Sequence, residues 1–329
     1  MERRLLGNST LAISPVGLGA WAIGGSDWRL GWGPQPDGAS MATIRRALDR
    51  GINWIDTAAV YGLGRSETII ARTLRDVPVA DRPYIFTKGS LVWDELGNVS
   101  CSFRRASIRR QAEASLRRLG VDAIDLYQID LPCKLSPWQC EGGSLEEAWG
   151  TLADLQREGK VRFLGLAHAG AAQLSRLRHI APVTSLQTSY SLLHRDPEAS
   201  VLPYCRHHGI GVLASSPMAS GLLTGTMTPD RLRRLPHNDW RRESLAFQEA
   251  ALVTAPRFVE RLRLVGAARG AMPGAVAVAW TLHHGAVTAA VAGARRPDQI
   301  DEVAAAMSLQ LTADEIDDLS FAEVTVRRR

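Results

Sequence analysis

The chain has 329 residues, 45% of them hydrophobic, a length that suits a large barrel domain and allows a sizeable core. No run approaches the roughly 18 apolar residues of a membrane span. The net charge of +5 comes from arginines spread along the chain, with only three lysines and no basic stripe, so neither nucleic acid nor a membrane is predicted as a partner.

The chain opens with LLGNSTLAIS, two apolar runs around an Asn-containing turn, which predicts a β-hairpin at the bottom of the fold. Strand-length apolar runs then alternate with amphipathic helical patterns. The predicted strands are 16–23, 52–56, 84–87, 124–129, 161–167, 184–187, 211–214 and 287–291. The predicted helices are 39–50, 66–75, 104–119, 145–158, 172–179, 197–208, 257–269 and 297–307.

Eight strands, each followed by a helix, predict an α/β fold of the (β/α)8 TIM-barrel type that occupies residues 1–329 as a single domain. A doubly wound open sheet is the alternative, but no GxGxxG follows the first strand. The segment 224–255, after the seventh strand, is polar and rich in Pro and Arg. A loop of that length predicts a lid or binding loop, with disorder as the alternative.

The cysteines and histidines indicate no metal site. The four cysteines form no CxxC pair, and the N-terminus has no secretory signal, so a reduced cytoplasmic protein is expected. Cys133 and Cys140 share one loop, where a disulfide is the alternative to the free thiols that we favour. The adjacent histidines at 207–208 and 283–284 point apart on a helix, which argues against metal binding.

Polar residues stand at the carboxyl ends of three neighbouring predicted strands, where barrels carry their active sites. Asp56 ends one strand, with Tyr61 five residues later; Lys88 and Asp130 end the next two. An ammonium near a phenol lowers its pKa, and Asp56 would keep Lys88 charged, so Tyr61 is a candidate proton donor. A structural ion pair beside a loop tyrosine is the alternative.

Long motifs in order carry a family resemblance: GINWIDTAAVYGLGRSE, FTKGS, DLYQI, REGKVRFLGLA, SLQTSYSLL, LPYCRHHGIGVLASSPMASGLLTG and VAGARRPDQIDE. Together they resemble the aldo-keto reductase family over nearly the whole chain. The resemblance implies a barrel that binds NADP(H) across its mouth and transfers hydride to or from a carbonyl.

The resemblance also implies residue roles. Tyr61 would be the general acid, Lys88 would tune it and Asp56 would support Lys88. Trp21 would line the substrate pocket, and Trp93 is a further candidate for that pocket. The implied cofactor-binding residues are His168, Gln187, Ser216, Met218, Gly221, Leu222, Arg295, Gln299 and Glu302, with Arg295 beside Arg296 favouring a 2′-phosphate.

Several positions depart from the family pattern. Asp130 stands where the family usually has a histidine, Ala167-His168 replaces Ser-Asn, Ser215 replaces an aromatic residue and Val303 replaces an asparagine. Asp130 could act as a protonated hydrogen-bond donor, as an anion that binds a cationic group, or as a structural residue. His168 could replace a carboxamide contact or act as an acid/base.

The sequence thus predicts an NADP(H)-dependent oxidoreductase that reduces a carbonyl or a conjugated C=C bond of a small molecule, for example in specialised metabolism. The alternative is a barrel without ordinary reductase turnover, either a cofactor-sensing protein or a non-redox acid–base enzyme. The pattern gives no indication of substrate identity, reaction direction or oligomeric state.

Overall fold

The computed structural model describes residues 2–26, 28–132, 138 and 140–321. The chain begins with an antiparallel hairpin in which β1 (Arg4–Leu5) pairs with β2 (Ala12–Ile13). Leu6, Leu11 and Ile13 are fully buried and pack against the side chains inside the barrel. The expected hairpin is therefore present, and it closes the bottom of the barrel.

Eight parallel strands form one closed sheet. They are β3 (Val16–Gly19), β4 (Trp54–Asp56), β5 (Tyr84–Gly89), β8 (Ile124–Asp130), β9 (Val161–Ala167), β10 (Ser185–Ser189), β11 (Gly211–Ser215) and β12 (Val287–Gly293). Each strand is hydrogen-bonded to the next one in this order, and β12 pairs with β3. The predicted (β/α)8 barrel is confirmed, with all eight strands where the sequence analysis expected them.

Because side chains alternate between the two faces of a strand, those that point into the barrel form successive levels along its axis. Trp54, Phe86 and Leu126 form an apolar lower level together with the N-terminal hairpin. Gly17 makes room for the Trp54 ring, because a Cβ at that position would lie 2.1 Å from the indole. The polar residues that lie two positions further along these strands point to the same inward side. The inward face of these three strands therefore changes from apolar near the bottom of the barrel to polar at its mouth.

Helices surround the barrel. They are α1 (Asp37–Asp49), α2 (Arg65–Leu74), α3 (Arg105–Leu119), α4 (Leu145–Arg157), α5 (Ala171–Leu177), α6 (Val201–His208), α7 (Pro229–Arg233), α8 (Trp240–Glu243), α9 (Leu245–Glu249), α10 (Ala255–Arg269), α11 (Pro273–His283), α12 (Pro297–Ala304) and α13 (Ala313–Phe321). The sequence analysis missed α11 and α13. None of the helices in these ranges combines the length and the apolar character that crossing a bilayer requires.

The segment 224–255 is not a plain loop. It contains the short helices α7, α8 and α9, and its apolar side chains form a small separate core. Leu232, Leu235 and Phe247 are buried in that core together with Leu222. The segment is therefore an ordered cover whose own packing holds it against the barrel.

A second hairpin, formed by β6 (Leu91–Trp93) and β7 (Val99–Cys101), follows β5 and was not predicted. Cys101 at its end forms a disulfide with Cys140. The expectation of free thiols is therefore wrong for these two residues, because the hairpin brings together cysteines separated by 39 positions in sequence. Cys205 is buried with a free thiol, and Cys133 lies outside the described residues. The cysteines no longer argue for a cytoplasmic location.

The disulfide leads to a measurable expectation. Protein purified without reductant and then denatured should show fewer free thiols than the four cysteines of the sequence, and reduction should restore four. Cys140→Ser should lower the free energy of unfolding by about 2–4 kcal/mol, because the bond restricts the unfolded chain. Cys205→Ser is the control, since it removes a thiol without opening the bond. Four titratable thiols before reduction would contradict the pairing.

Candidate active site

The centre of the site is a buried ion pair between the ends of β4 and β5. The Lys88 ammonium donates to Asp56 Oδ2 at 2.6 Å and to the Thr57 carbonyl at 3.0 Å. Both charged side chains are almost completely buried. Burial has the largest single influence on the pKa of Lys88 and would lower it, but the combined effects of Asp56, Tyr61 and Asp130 outweigh burial and the pKa is raised. Lys88 therefore keeps its charge inside the barrel.

Two glutamines complete the hydrogen bonding of Asp56. Its second oxygen, Oδ1, accepts from the side-chain amides of Gln187 at 2.8 Å and Gln128 at 3.1 Å. Gln187 was expected at the carboxamide of the cofactor; in the structure it lines the cavity while it donates to Asp56. Gln128 was missed, although its spacing of two from Asp130 on one strand places both on the inward face.

Tyr61 lies beside this pair and lines the cavity. The Lys88 ammonium is 5.3 Å from the centroid of its ring. Burial has the largest influence on the pKa of Tyr61 and raises it; Asp56 and Asp130 raise it further, against the lowering effect of Lys88. The net lowering expected from Lys88 is therefore not found, because burial and two carboxylates outweigh one ammonium. The phenol is held in its protonated form.

Asp130 ends β8 and is 8% exposed. Its Oδ1 lies 3.0 Å from Nδ1 of His168, the residue that follows β9. The sequence analysis expected both residues at the mouth of the barrel, and the structure brings their side chains into contact. Neither residue belongs to the described lining of the main cavity, although Asp130 is near enough to raise the pKa values of both Tyr61 and Lys88.

Aromatic rings form one wall of the site. Trp21 lines the cavity and stacks on Trp240 of α8, with ring centroids 5.6 Å apart, and meets Trp32 edge-on at 5.1 Å. The ring of Tyr61 lies 6.3 Å from that of Trp21. Trp93 lies on β6 beneath the Arg118 guanidinium, 5.7 Å away, and is absent from the described cavity lining. The covering segment thus supports this aromatic wall through Trp240.

The cavity beside Tyr61 has a volume of about 570 Å³, within the range of small-molecule sites. The predicted cofactor residues that line it are Gln187, Ser216, Met218, Gly221, Arg295, Gln299 and Glu302. Leu222 is instead buried in the core of the covering segment. Ser216, Ser220 and Gly221 have positive φ angles, so the chain after β11 curls tightly along the cavity. Such backbone turns direct N–H groups into a concavity that suits an anion.

Four arginines line the cavity. Arg231 and Arg241 come from the covering segment, and Arg295 and Arg296 follow β12. Burial lowers the pKa values of Arg231 and Arg295, and the charge of Arg241 lowers both further. Because these cations destabilise one another, a bound polyanion would relieve their repulsion. The residues present therefore fit a dinucleotide cofactor, and the arginines of the covering segment were missed by the sequence analysis.

The individual contacts of these arginines differ. Arg295 donates to the Trp32 carbonyl at 2.8 Å, the Pro34 carbonyl at 2.5 Å and Gln35 Oε1 at 2.8 Å. It therefore holds the segment after β3 in place. Arg296 forms a paired contact with the exposed Asp298, with donor–acceptor distances of 3.1 and 2.8 Å. No group of three or more potential metal ligands occurs in the described part of the chain.

Comparison with known proteins agrees with this geometry. The model of the Aldo/keto reductase family matches residues 15–322. The chain is 33% identical over 327 residues to the aldo-keto reductase YhdN of Bacillus subtilis, covering 97% of this chain and 93% of that protein. It is 31% identical over 325 residues to the NADH-specific methylglyoxal reductase of Escherichia coli, covering 95% of each.

Among solved structures, the glycerol dehydrogenase of Gluconobacter oxydans superposes with a TM-score of 0.84 at 35% identity, covering 100% of this chain and 98% of that one. An aldo-keto reductase of Bacillus halodurans gives a TM-score of 0.74 at 25% identity, covering 98% of this chain and 96% of that one. With the barrel, the buried Asp56–Lys88 pair and these matches, the chain belongs to the aldo/keto reductase family of oxidoreductases, which use nicotinamide cofactors.

Proposed function

We propose that this protein is an NADP(H)-dependent reductase of a carbonyl or conjugated C=C group in a small molecule, folded as one domain over residues 1–329. The observation that carries the proposal is Tyr61 in the cavity, 5.3 Å from the buried ammonium of Lys88, which Asp56 holds at 2.6 Å. A protonated phenol beside a fixed positive charge is suited to giving a proton to an oxygen or carbon that becomes negative. A cytoplasmic location remains part of the proposal.

The chain's own residues have distinct roles in this mechanism. The cofactor, when bound, supplies the hydride. Tyr61 donates the proton, and its raised pKa keeps that proton in place until the substrate becomes basic. As the proton leaves, negative charge develops on the phenol oxygen, and the Lys88 ammonium stabilises it. Asp56 and its glutamine donors keep Lys88 charged and oriented.

The adenosine end of the cofactor is assigned to the arginines. We assign the 2′-phosphate of NADP(H) to Arg296, with Arg231 next to it, because both line the cavity. Arg295, the residue first favoured for that contact, supports the site by holding the segment from Trp32 to Gln35. Arginine forms strong charge-assisted hydrogen bonds to phosphate, and an exposed pair with Asp298 costs little to open.

The aromatic wall indicates the kind of substrate. Trp21 and Trp32 line the cavity near Tyr61, and the indole N–H of Trp32 is buried without an acceptor in the described part of the chain. A small molecule with a flat or apolar portion would pack against these rings, and an oxygen of that molecule would accept a hydrogen bond from the indole N–H. The relatives named for methylglyoxal and glycerol suggest short oxygenated carbonyl compounds as the first candidates.

The direct test is turnover. NADPH oxidation should be measured with a panel that includes methylglyoxal, dihydroxyacetone, simple aldehydes and simple enones. We expect at least one member to be reduced, with the product identified by mass spectrometry. Cofactor binding without any turnover in either direction would contradict the reductase and favour the cofactor-sensing alternative.

Cofactor preference is a separate expectation. NADPH should bind more tightly than NADH by about 10-fold, because a charge-assisted hydrogen bond to phosphate contributes about 1.5 kcal/mol. Arg296→Ala should remove the preference, while Arg295→Ala should weaken both cofactors alike. Titration of tryptophan fluorescence can report the binding, since Trp21 and Trp32 line the cavity.

Arg269→Ala is the matched control, since its partner is Glu315 on α13 and it is absent from the cavity lining. Equal affinities for the two cofactors, or tighter binding of NADH, would contradict the NADP(H) assignment. Because one relative is named as NADH-specific, the affinities for NADPH and NADH have to be measured on this protein itself.

A further inference from the structure

The side chains of Asp130 and His168 meet at the mouth of the barrel. Asp130 Oδ1 and His168 Nδ1 are 3.0 Å apart, and the two side chains are 12% and 24% exposed. They belong to adjacent parallel strands, with Asp130 paired in register with Ala167. The contact therefore depends on the register of β8 and β9, which the rigid sheet determines.

The backbone around the pair is held on both sides. The Ser90 hydroxyl donates to the carbonyl of Asp130, and the His168 N–H donates to the Gln187 carbonyl at 2.9 Å. His168 has a φ angle of +63°, in the left-handed region that residues other than glycine rarely adopt. This conformation turns the chain at the end of β9. Such an unfavoured backbone is typical of positions where a side chain has a defined task.

Asp130 of this pair lies within electrostatic reach of the proposed proton donor. The carboxylate of Asp130 acts on both Tyr61 and Lys88. Gln187, whose carbonyl holds the His168 backbone, lines the cavity and donates to Asp56 at 2.8 Å. The pair and the Asp56–Lys88–Tyr61 group therefore occupy one end of the barrel and share the residue that joins them.

We propose that His168 is a catalytic residue that hydrogen-bonds the substrate oxygen through Nε2, and that Asp130 is the positioning residue that orients it. A carboxylate that accepts from Nδ1–H sets the tautomer of the ring and stabilises its protonated form. The Nε2–H would then donate to the oxygen on which negative charge develops, while Tyr61 gives the proton. This inference rests on the proposed reductase function and goes beyond it by assigning these two residues.

The proposal gives Asp130 a role other than that of an anchor for a cationic group. Its Oδ1 contacts the imidazole of His168, so the carboxylate serves to orient that ring. It also need not be protonated, because the donor to the substrate is the ring and not the acid. The substrate class that follows is a neutral carbonyl or enone, whose oxygen accepts one hydrogen bond from His168.

The kinetic test uses single and double variants. His168→Asn, which tolerates the left-handed backbone, should lower kcat by about 100-fold with a much smaller change in KM, as expected for a donor used mainly in the transition state. Asp130→Asn should lower kcat on the order of 10-fold, and Asp130→Ala should lower it further. The double variant His168→Asn/Asp130→Asn should be no slower than His168→Asn alone, because the two residues act as a unit.

A matched control exists on the same two strands. Asp125 and Arg162 form an ion pair between β8 and β9 at the opposite end of the barrel. Asp125→Asn should leave kcat unchanged. If His168→Asn and Asp130→Asn alter only the melting temperature, or if their effects on kcat multiply independently, the proposal is overturned. If the wild type reduces no panel member, the proposed function fails, which is a different outcome.

A second measurement does not need turnover. In ¹H–¹⁵N spectra of the histidine rings, the signal lost in His168→Asn identifies His168. We expect that signal to show a hydrogen-bonded Nδ1–H in the wild type and to shift in Asp130→Asn, but not in Asp125→Asn. A His168 signal that is unaffected by Asp130→Asn would overturn the positioning role whether or not a substrate is known.

Discussion

Tyr61→Phe is expected to reduce turnover by at least 100-fold while leaving cofactor affinity nearly unchanged. The phenol is the proposed proton donor, and general acid catalysis typically contributes about 10²- to 10⁴-fold. The ring is kept in Phe, so its contacts with Trp21 and Trp28 should persist. The measurement is kcat for reduction together with the dissociation constant of NADPH.

Tyr84→Phe is the control, because Tyr84 begins β5 at the far end of the barrel. Since the pKa of Tyr61 is raised, the wild type should not lose reductase activity through this residue as the pH rises moderately above neutral. A Tyr61→Phe variant that kept most of the wild-type kcat would rule out the proposed mechanism.

Lys88→Met is expected to have the largest effect on stability, together with the loss of activity. It leaves the Asp56 carboxylate buried with only the two glutamine donors, and removal of one partner of a buried pair costs about 3–5 kcal/mol. Urea unfolding followed by circular dichroism gives the change in the free energy of unfolding. Arg109→Met is the control, because its pair with Glu158 is exposed and should contribute less than about 1 kcal/mol.

The double variant Asp56→Asn/Lys88→Met distinguishes charge from packing. It removes both buried charges, so it should be more stable than Lys88→Met alone. The pKa of Lys88 is raised in the folded protein, so its stabilising effect is fully present below the ordinary lysine pKa and is lost only as the pH rises through the raised value. The gap between wild type and Lys88→Met should therefore stay constant from neutral pH into the mildly alkaline range. A double variant less stable than Lys88→Met would contradict the ion-pair account.

Local patterns in the sequence predicted most of the barrel, and the exceptions have physical causes. Apolar runs of strand length indicated most of the barrel strands, because a buried parallel strand needs apolar residues on both faces. The helix α11 was missed because it is apolar on all sides and shows no amphipathic period. The hairpin of β6 and β7 was missed because each strand has only three residues.

The candidate site, too, could be predicted from the sequence only in part. That Asp56, Lys88 and Asp130 share one end of the barrel could be predicted, because they end neighbouring strands and parallel strands bring their carboxyl ends together. The pairing of Asp56 with Lys88 could also be predicted, but the other partners of the site residues could not. Asp56 accepts from glutamines on two other strands, and Arg295 donates to the segment after β3 instead of standing open to a phosphate.

By itself, the sequence determined the strand order, the polar residues at three strand ends and the family resemblance, because each depends on positions along one strand or on motifs that follow one another in the chain. Only the tertiary structure decided that Cys101 bonds to Cys140, that burial raises the pKa of Tyr61 against the effect of Lys88, and that Asp130 contacts His168. These three results depend on distances between residues far apart in the chain and on how deeply each is buried. Such quantities arise only when the sheet closes and its register brings the strands side by side.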